Sequence, residues 1–487
     1  MISFVIGIVT IITGITFTII ITRSLTLDEF GTWGLIGGLT TYVYILRPTI
    51  SYWSTREIAR GKETGKTAIL SSGLMAAIGV FMYLLIASFF GVQTDVSQTI
   101  LLFAGILIPT EFFKNALSRI TLGYKPQNES YGLLIFELAK IPIALLLIYF
   151  LDLGLEGIII TVFISNLFSI VLLAYLTREK IRGKFEINYL KKWLKLFWLP
   201  MYPEISKIIK VSDVAVVTLF TGSVAGLAYW SSAKAISHIV RQSNKIGKAV
   251  YPKLLGGGKK EYLQENLVLI LYFAIPLSMM SIVFSKPALF VLNPIYADAV
   301  FVVILQVPTI FLQMLSDQFR QALSGIEKVD TNEKATFKDY IKSKLFFLPT
   351  LKNIQRGFYL GSLILMLLVI GPNVESEIDI IVYWALIALI TQIPYTSYLF
   401  VLIKREFSPK IDRFAIIKYF MVSSLVIGGI FFLMEEYLEY KESIFEFLPQ
   451  FIPYLILFVI SYLGGTYLID WRTRKVVKRI IKELVKK

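Results

Sequence analysis

Four charged residues recur at every third position in an apolar stretch of the chain. Glu204, Lys207, Lys210 and Asp213 lie within residues 199–219, where most other side chains are apolar. On an α-helix each step of three residues turns the side-chain direction by about 60°, so the four charges cover half of the circumference. A face this broad is typical of a helix that borders a water-filled cavity. Two ion pairs, Glu204 with Lys207 and Lys210 with Asp213, would also satisfy the charges.

Seven more charged residues lie inside apolar runs that are long enough to cross a membrane. A charge that faces lipid near the centre of a helix costs roughly 2.5–3.5 kcal/mol, so these side chains must pair or face water. The three-residue spacing of Glu111 with Lys114, and of Glu137 with Lys140, is that of neighbours on one helix face. The seven residues are Arg47, Glu111, Lys114, Glu137, Lys140, Lys234 and Asp317.

Positive side chains in and beside these runs predict a cavity that binds an anion. Arg241 and Arg320 follow two of the runs and add to the positive charge in the second half of the chain. Because cationic side chains bind phosphate by charge and hydrogen bonding, the head group of a lipid diphosphate is a suitable ligand. The acidic residues are candidates for ion pairing or for coupling to Na⁺ or H⁺, and the sequence does not distinguish between these roles. They are Glu111, Glu137, Glu204, Asp213 and Asp317.

The composition is that of a protein embedded in a membrane. Of the 487 residues, 56% are hydrophobic and only 17% are charged, below the quarter that is usual in soluble domains. Cysteine is absent and His238 is the only histidine, which excludes a disulfide framework, a thiolate nucleophile and a Cys/His metal centre. The sequence presents no catalytic constellation, and it predicts a transporter without a cofactor or metal in preference to an enzyme.

Fourteen apolar runs predict an all-α polytopic membrane protein with about fourteen transmembrane helices. Alternate connections between the runs carry most of the 49 lysine and arginine residues. Because positive residues in short loops stay on the cytoplasmic side, we expect both termini in the cytoplasm and the chain in the cell (plasma) membrane. The net charge of +15 then reflects topology, and it does not indicate nucleic-acid binding. The runs lie near 2–22, 33–53, 68–90, 96–118, 131–150, 155–176, 197–220, 222–240, 264–285, 297–319, 357–372, 379–403, 416–434 and 448–470.

The C-terminal residues 471–487 predict an amphipathic helix at the membrane surface. Apolar residues would form one face of this helix, and eight basic residues would lie on the rest. Such helices bind anionic lipid headgroups, so membrane lipids are predicted partners. The apolar face would contain Val476, Val477, Ile480, Ile481, Leu484 and Val485.

Four stretches of sequence carry a family resemblance. They are TRSLTLDEFGTWGLI (22–36), REIARGK (56–62), YKPQNESYGLLIFELAK (124–140) and SDVAVVTLFTGSVAGLAYWSSAKAIS (212–237). Together they resemble the polysaccharide-transporter and O-antigen flippase-like proteins of the multidrug/oligosaccharidyl-lipid/polysaccharide exporter (MOP) superfamily. Arg23 and Asp213 match motif positions of that family.

The resemblance implies a MATE-like fold, in which two six-helix lobes surround a central cavity and two further helices are appended. A long cytoplasmic insertion at 324–354 departs from the family pattern. The implied organisation is an N-terminal lobe at 1–176, a basic cytoplasmic linker at 177–195, a C-terminal lobe at 196–403, helices thirteen and fourteen at 404–470 and the basic tail at 471–487.

The resemblance and the basic residues together predict a flippase. It would move polyprenyl-diphosphate-linked oligosaccharide from the cytoplasmic to the outer leaflet by alternating access, for assembly of cell-surface polysaccharide or glycoconjugates. A multidrug cation antiporter of the same superfamily is the alternative, which Glu111 and Glu137 keep open. A scaffold that recruits glycan-assembly enzymes through the basic tail is a third hypothesis. The predicted anion-binding residues are Arg23, Arg47, Lys114, Lys140, Lys207, Lys210, Lys234, Arg241 and Arg320.

Overall fold

The computed structural model describes residues 2–244, 261–327, 329, 337–408 and 412–474, and within these ranges the chain is helical and has no strand. Most of the surface helix predicted at 471–487 lies outside the described residues. The helices are α1 (Ile2–Ser24), α2 (Leu27–Tyr44), α3 (Pro48–Ala59), α4 (Gly65–Gln93), α5 (Gln98–Phe103), α6 (Leu107–Tyr124), α7 (Pro126–Ala144), α8 (Gly154–Leu176), α9 (Arg178–Ile181), α10 (Ile187–Lys195), α11 (Trp198–Met201), α12 (Ile205–Thr221), α13 (Ala225–Ser237), α14 (Glu261–Val283), α15 (Ser285–Leu292), α16 (Val300–Gly325), α17 (Phe337–Lys342), α18 (Lys344–Val369), α19 (Glu377–Phe407), α20 (Arg413–Tyr437) and α21 (Ile444–Ile469).

Nine helical segments in the described part of the chain are long and apolar enough to cross a membrane. The chain is therefore a multi-pass membrane protein. The other five predicted runs lie on α1, on α2 with α3, on α12, on α13 and on α18, which are not among these nine segments, so the total of fourteen stays a prediction. The nine segments are Gly65–Gln93, Gln98–Tyr124, Pro126–Phe150, Gly154–Leu176, Leu263–Val283, Pro294–Gly325, Glu377–Phe407, Arg413–Tyr437 and Ile444–Ile469.

The helices form two compact units. The first unit consists of the described residues within Met1–Ser231 and Lys352–Ile380, and the second of those within Ser232–Leu351 and Ile381–Lys487. The lobe boundaries implied by the family resemblance stay a prediction.

Pro48 interrupts the apolar run predicted near 33–53. α2 ends at Tyr44 and α3 begins at Pro48, with Arg47 at the junction. Proline has no amide hydrogen to continue the helical ladder, but it is well tolerated as the first residue of a new helix. Arg47 is therefore placed at a helix junction, where its side chain is 26% exposed.

A second interruption divides the run predicted at 197–220. α11 ends at Met201, a 3₁₀ turn follows over Tyr202–Glu204 with Pro203 at its second position, and α12 begins at Ile205. α12 ends at Thr221, where Gly222 adopts a positive φ of 71° and closes the helix. Glu204 therefore ends the 3₁₀ turn, and Lys207, Lys210 and Asp213 lie in the first half of α12.

Gly31 and Gly34 allow α2 to approach the segment that leads into α13. A side chain at Gly31 would overlap the backbone carbonyl of Val224, and a Cβ at Gly34 would lie 3.1 Å from Ser231 Oγ. Only glycine permits this close approach of a helix to another backbone. The first and the fourth of the stretches that carry the family resemblance thus contact each other within the first unit.

We expect Gly31→Ala to destabilise the first unit. The added Cβ meets backbone atoms of Val224, which cannot rotate away as a side chain would, so the cost should be about 1–3 kcal/mol. Thermal unfolding of the purified protein measures this loss. Gly37→Ala on the same helix is the matched control, because no atom lies within 4 Å of its Cβ and alanine favours the helix. Equal melting temperatures of Gly31→Ala and Gly37→Ala would contradict the tight contact between Gly31 and Val224.

The basic linker at 177–195 contains α10, which docks on α3. Leu190 and Trp193 of α10 are buried, and Lys192 Nζ lies 3.2 Å from Glu57 Oε1 on α3. Lys62 Nζ lies 3.2 Å from the other carboxylate oxygen. Burial alone would raise the pKa of Glu57, but the two lysines outweigh burial and hold the pKa below its ordinary value.

Acid should release α10 from α3. A carboxyl group whose pKa is lowered in the folded state stabilises the fold above its ordinary pKa of 4.5 and loses this effect as the pH falls through the folded value. The chain has no cysteine, so Leu190→Cys provides a single reporter thiol. We expect an acid-active disulfide reagent to label this thiol faster below pH 4.5, and Glu57→Gln to accelerate labelling already at pH 7.

Lys191→Cys is the control for this experiment, because Lys191 is exposed on the same helix and should react rapidly at every pH. If Glu57→Gln leaves the labelling rate of Leu190→Cys unchanged at pH 7, the two lysines do not hold α10 through Glu57.

Candidate functional site

A cluster of ionised side chains lies in the first unit, at the junction of α2 with α3 and on α6. Arg47 Nη1 lies 3.2 Å from Glu111 Oε2. Lys114 pairs with the other oxygen of Glu111, and its Nζ lies 2.7 Å from Asn166 Oδ1 on α8. Asn166 Nδ2 in turn donates to Glu111 Oε1 at 3.1 Å. One carboxylate is thus shared by two cations, which leaves the Arg47–Glu111–Lys114 cluster with a net positive charge.

This cluster is only partly buried. The exposed fractions of the side chains are 26% for Arg47, 19% for Glu111 and 23% for Lys114. The Arg47 guanidinium also lies 4.2 Å from the ring centre of Tyr44, a contact that positions it without neutralising it. Two accessible cations that share one carboxylate can accept a second anion.

A second ion pair on α7 is almost fully buried. Lys140 Nζ lies 2.7 Å from Glu137 Oε2, and each side chain is 8% exposed. Thr13 Oγ1 of α1 donates to the same carboxylate oxygen at 2.7 Å. Lys140 Nζ is also 4.8 Å from the ring centre of Phe17. These contacts supply the partners that charged groups need when they are removed from water.

Phe136 lies next to both lysines. Its ring centre is 4.4 Å from Lys114 Nζ and 5.3 Å from Lys140 Nζ, distances at which a cation is attracted to an aromatic face. The pairing predicted from the three-residue spacing is confirmed for Glu111 with Lys114 and for Glu137 with Lys140. Neutral Thr13 and Asn166, which complete the two pairs, carried no signal in the sequence, because they are far from their partners along the chain.

The pair predicted at the start of α12 is also confirmed. Lys207 Nζ lies 2.7 Å and 2.6 Å from the two oxygens of Glu204, and the lysine side chain is 63% exposed. Because Lys207 already has a carboxylate and faces outward, we rank it below Arg47 and Lys114 as an anion ligand. Lys210 and Asp213 follow in the middle of α12.

Asp213 contacts a residue that the sequence analysis missed. Tyr359 Oη of α18 donates to Asp213 Oδ2 at 2.7 Å, and the two residues are 2% and 4% exposed respectively. Arg356, one turn earlier on α18, is 7% exposed. Arg356 was overlooked because the apolar run was predicted to begin at 357, whereas α18 begins at Lys344. Tyr359 lies inside the predicted run and was overlooked because it is neutral and far from Asp213 along the chain. Beyond Tyr359, apolar residues at helical spacing continue the buried face of α18. This spacing is the sequence signal that could have revealed the buried face.

A third cluster lies in the second unit. Arg241 Nη2 is 3.8 Å from Asp317 Oδ2, and Arg320 pairs with Oδ1 of the same carboxylate. One carboxylate again holds two cations that are partly exposed, as in the first unit. Of the remaining predicted residues, Arg23 lies in the last turn of α1 and Lys234 in the last turn of α13.

Each unit also contains an apolar cavity. That of the first unit has a volume of about 400 Å³ and lies among α2, α4 and α12. That of the second unit has a volume of about 380 Å³ and lies among α14, α16, α19 and α20. Their apolar linings suit hydrocarbon chains better than charged groups. In the described part of the chain no three acidic or histidine side chains converge as a metal site would require.

Transporters of known structure share this arrangement of helices, although no protein-family model and no curated protein sequence matches the chain. The lipid II flippase MurJ in an inward closed conformation superposes with a TM-score of 0.65 at 15% identity, over 97% of this chain and 100% of that one. An inward-facing multidrug resistance MATE family transporter of the MOP superfamily superposes with a TM-score of 0.58 at 13% identity, over 82% and 95%. The chain has the MOP fold.

A further structure with the MOP fold, a transporter from Pyrococcus furiosus described by a binding pocket of reverse polarity, superposes with a TM-score of 0.54 at 14% identity, over 83% of this chain and 94% of that one. The MOP resemblance drawn from the four sequence stretches is thus confirmed at the level of the fold. Identities this low show the fold alone, so the substrate of this MOP-fold chain has to be argued from its own residues.

Proposed function

We propose that this MOP-fold chain is a flippase for polyprenyl-diphosphate-linked oligosaccharide. It would carry the lipid from the cytoplasmic to the outer leaflet of the cell membrane by alternating access, with both of its own termini in the cytoplasm. Its product would feed the assembly of cell-surface polysaccharide or glycoconjugates. The observation that carries the proposal is the Arg47–Glu111–Lys114 cluster, which presents two partly exposed cations on one carboxylate inside a membrane protein.

A diphosphate suits this cluster chemically. The guanidinium of Arg47 is a planar fork that matches phosphate oxygens, and the ammonium of Lys114 is a compact point charge. Phosphate oxygens would bind these two cations beside Glu111, because the cluster has one positive charge in excess. Glu111 would keep its hydrogen bond from Asn166. The carboxylate would therefore stay paired while the diphosphate is bound.

Two further features support a lipid-linked anion. The Arg241–Asp317–Arg320 cluster repeats in the second unit the arrangement of two cations on one carboxylate. A carrier built of two similar halves is the usual architecture for alternating access. The apolar cavities offer surfaces for the polyprenyl chain, which remains in a hydrocarbon environment while the head group moves.

A multidrug cation antiporter is the second candidate, because MATE transporters share the fold and Glu137 is a buried carboxylate. Glu137 is already bonded to Lys140 and Thr13, so an organic cation or a coupling ion would have to displace the lysine. That competition favours the flippase.

Transfer of a fluorescent polyprenyl-diphosphate disaccharide across liposomes tests the proposal. We expect liposomes with the purified protein to move the probe to the opposite leaflet, and liposomes with heat-denatured protein not to do so. Na⁺ and pH gradients applied separately would reveal a coupling ion. If the folded protein moves a cationic dye and leaves the lipid probe in place, the antiporter replaces the flippase.

A further inference from the structure

A buried glutamine without a hydrogen-bond partner lies beside the Asp213–Tyr359 pair. Gln355 is 8% exposed, and neither its amide nitrogen nor its amide oxygen has a partner among the described residues. A buried polar group without a hydrogen bond destabilises the fold, and a ligand that bonds to it would remove this cost.

The spacing of residues on α18 places Gln355 on the same face as Tyr359. Residues four apart are neighbours on a helix, and Arg356 lies three residues before Tyr359 with its guanidinium carbon 6.0 Å from the tyrosine ring centre. Ile354 and Phe358 are 65% and 70% exposed, so they mark the opposite, outer face. The inner face of α18 therefore carries an amide, a guanidinium and a phenol hydroxyl.

α12 contacts this face of α18 through Asp213. Asp213 accepts the hydrogen bond from Tyr359, and Lys210 lies three residues earlier on the same side of α12. We call Lys210, Asp213, Gln355, Arg356 and Tyr359 the α12–α18 seam. The seam holds two cations and one carboxylate, and this balance disfavours a metal cation.

α2 connects the α12–α18 seam with the Arg47–Glu111–Lys114 cluster. Tyr42 Oη of α2 donates to Ser212 Oγ at 2.9 Å, next to Asp213 on α12. Arg47 follows Tyr42 by only five residues, just beyond the end of α2 at Tyr44. The cluster and the seam are thus both linked to the C-terminal end of α2 within the first unit.

We propose that the α12–α18 seam is the saccharide subsite, with the first sugar of the substrate bonded to Gln355. An amide offers two donors and an acceptor, which match the hydroxyl and acetamido groups of a sugar. Asp213 accepts from sugar hydroxyls and Arg356 donates to their oxygens. The inference rests on the proposed flippase function. It names the residues that would distinguish a glycosylated lipid from a bare lipid diphosphate.

Equilibrium binding of two probes to the full chain in nanodiscs tests the subsite. The probes are farnesyl diphosphate and farnesyl diphosphate that carries N-acetylglucosamine. We expect the native protein to prefer the glycosylated probe. Gln355→Leu should weaken binding of the glycosylated probe about tenfold, equivalent to one lost hydrogen-bonding group, and leave farnesyl diphosphate within about twofold. Its melting temperature should not fall, because leucine removes an amide that had no partner.

Gln313→Leu is the matched control in the second unit. Gln313 is 7% exposed and its amide oxygen also lacks a partner in the described part of the chain, so the same substitution there should leave the preference intact. If Gln355→Leu leaves the binding of both probes unchanged, or weakens the binding of both equally, the saccharide subsite is wrong while the flippase proposal stands. If the native protein binds neither probe, both proposals fall.

Discussion

Replacing both cations of the Arg47–Glu111–Lys114 cluster, with Arg47→Gln and Lys114→Met, should slow transfer of the lipid-linked saccharide by about a hundredfold or more. A hydrogen bond to a charged group contributes about 1.5–3 kcal/mol, and each factor of ten in binding corresponds to about 1.4 kcal/mol. Loss of two such contacts to the diphosphate therefore removes at least two powers of ten. The liposome assay with the fluorescent probe measures the rate.

Two controls separate lost substrate contacts from lost stability. Removing both cations leaves Glu111 with only its neutral partner Asn166, so the double variant should be less stable than the native protein. Adding Glu111→Gln should restore the melting temperature without restoring transfer. Lys207→Met removes an exposed cation on α12 and should transfer the probe at close to the native rate. If the double variant is folded and transfers the probe at the native rate, Arg47 and Lys114 do not bind the diphosphate, and Arg241 and Arg320 become the candidates.

The local features of the site follow from sequence because they depend on neighbours along one helix. Spacing of three residues predicted the pairs Glu111 with Lys114 and Glu137 with Lys140, and the structure contains both. The MOP fold was predicted from four short stretches, and two of these prove to contact each other through Gly31.

What the sequence did not reveal depends on contacts between helices or on the exact ends of helices. Asn166 and Thr13 are neutral, and they become part of the ion pairs only because α8 and α1 pack beside α6 and α7. Arg356 was excluded because an apolar window starts where polar residues stop, whereas a helix can begin several turns earlier and bury polar residues there. Tyr359 lies inside the predicted run, but its partner Asp213 is on another helix. Prolines at 48 and 203 shortened helices that hydropathy alone treats as continuous spans.

The buried pair of Glu137 and Lys140 should give the largest change in stability. Glu137→Leu leaves the lysine ammonium unpaired at a site that is 8% exposed, and breaking a buried pair in this way costs about 3–5 kcal/mol. Adding Lys140→Leu removes the stranded charge as well. Because two well-packed apolar residues often match or exceed a buried ion pair, the double variant should regain most of the lost stability. Thermal unfolding of the four proteins of this cycle, in one detergent, measures both effects.

The same four proteins distinguish a structural pair from a working one. If the pair serves only the fold, the stable double variant should transfer the lipid probe as the native protein does. If Lys140 is an anion ligand, as its place next to Phe136 and Lys114 suggests, the double variant should be stable and yet transfer slowly. A double variant that is no more stable than Glu137→Leu alone would contradict the account of the pair itself, because the loss would then not come from an unpaired lysine. The melting temperatures therefore test the role of the Glu137–Lys140 pair in the fold, and the transfer rates test whether the Lys140 ammonium group binds the substrate.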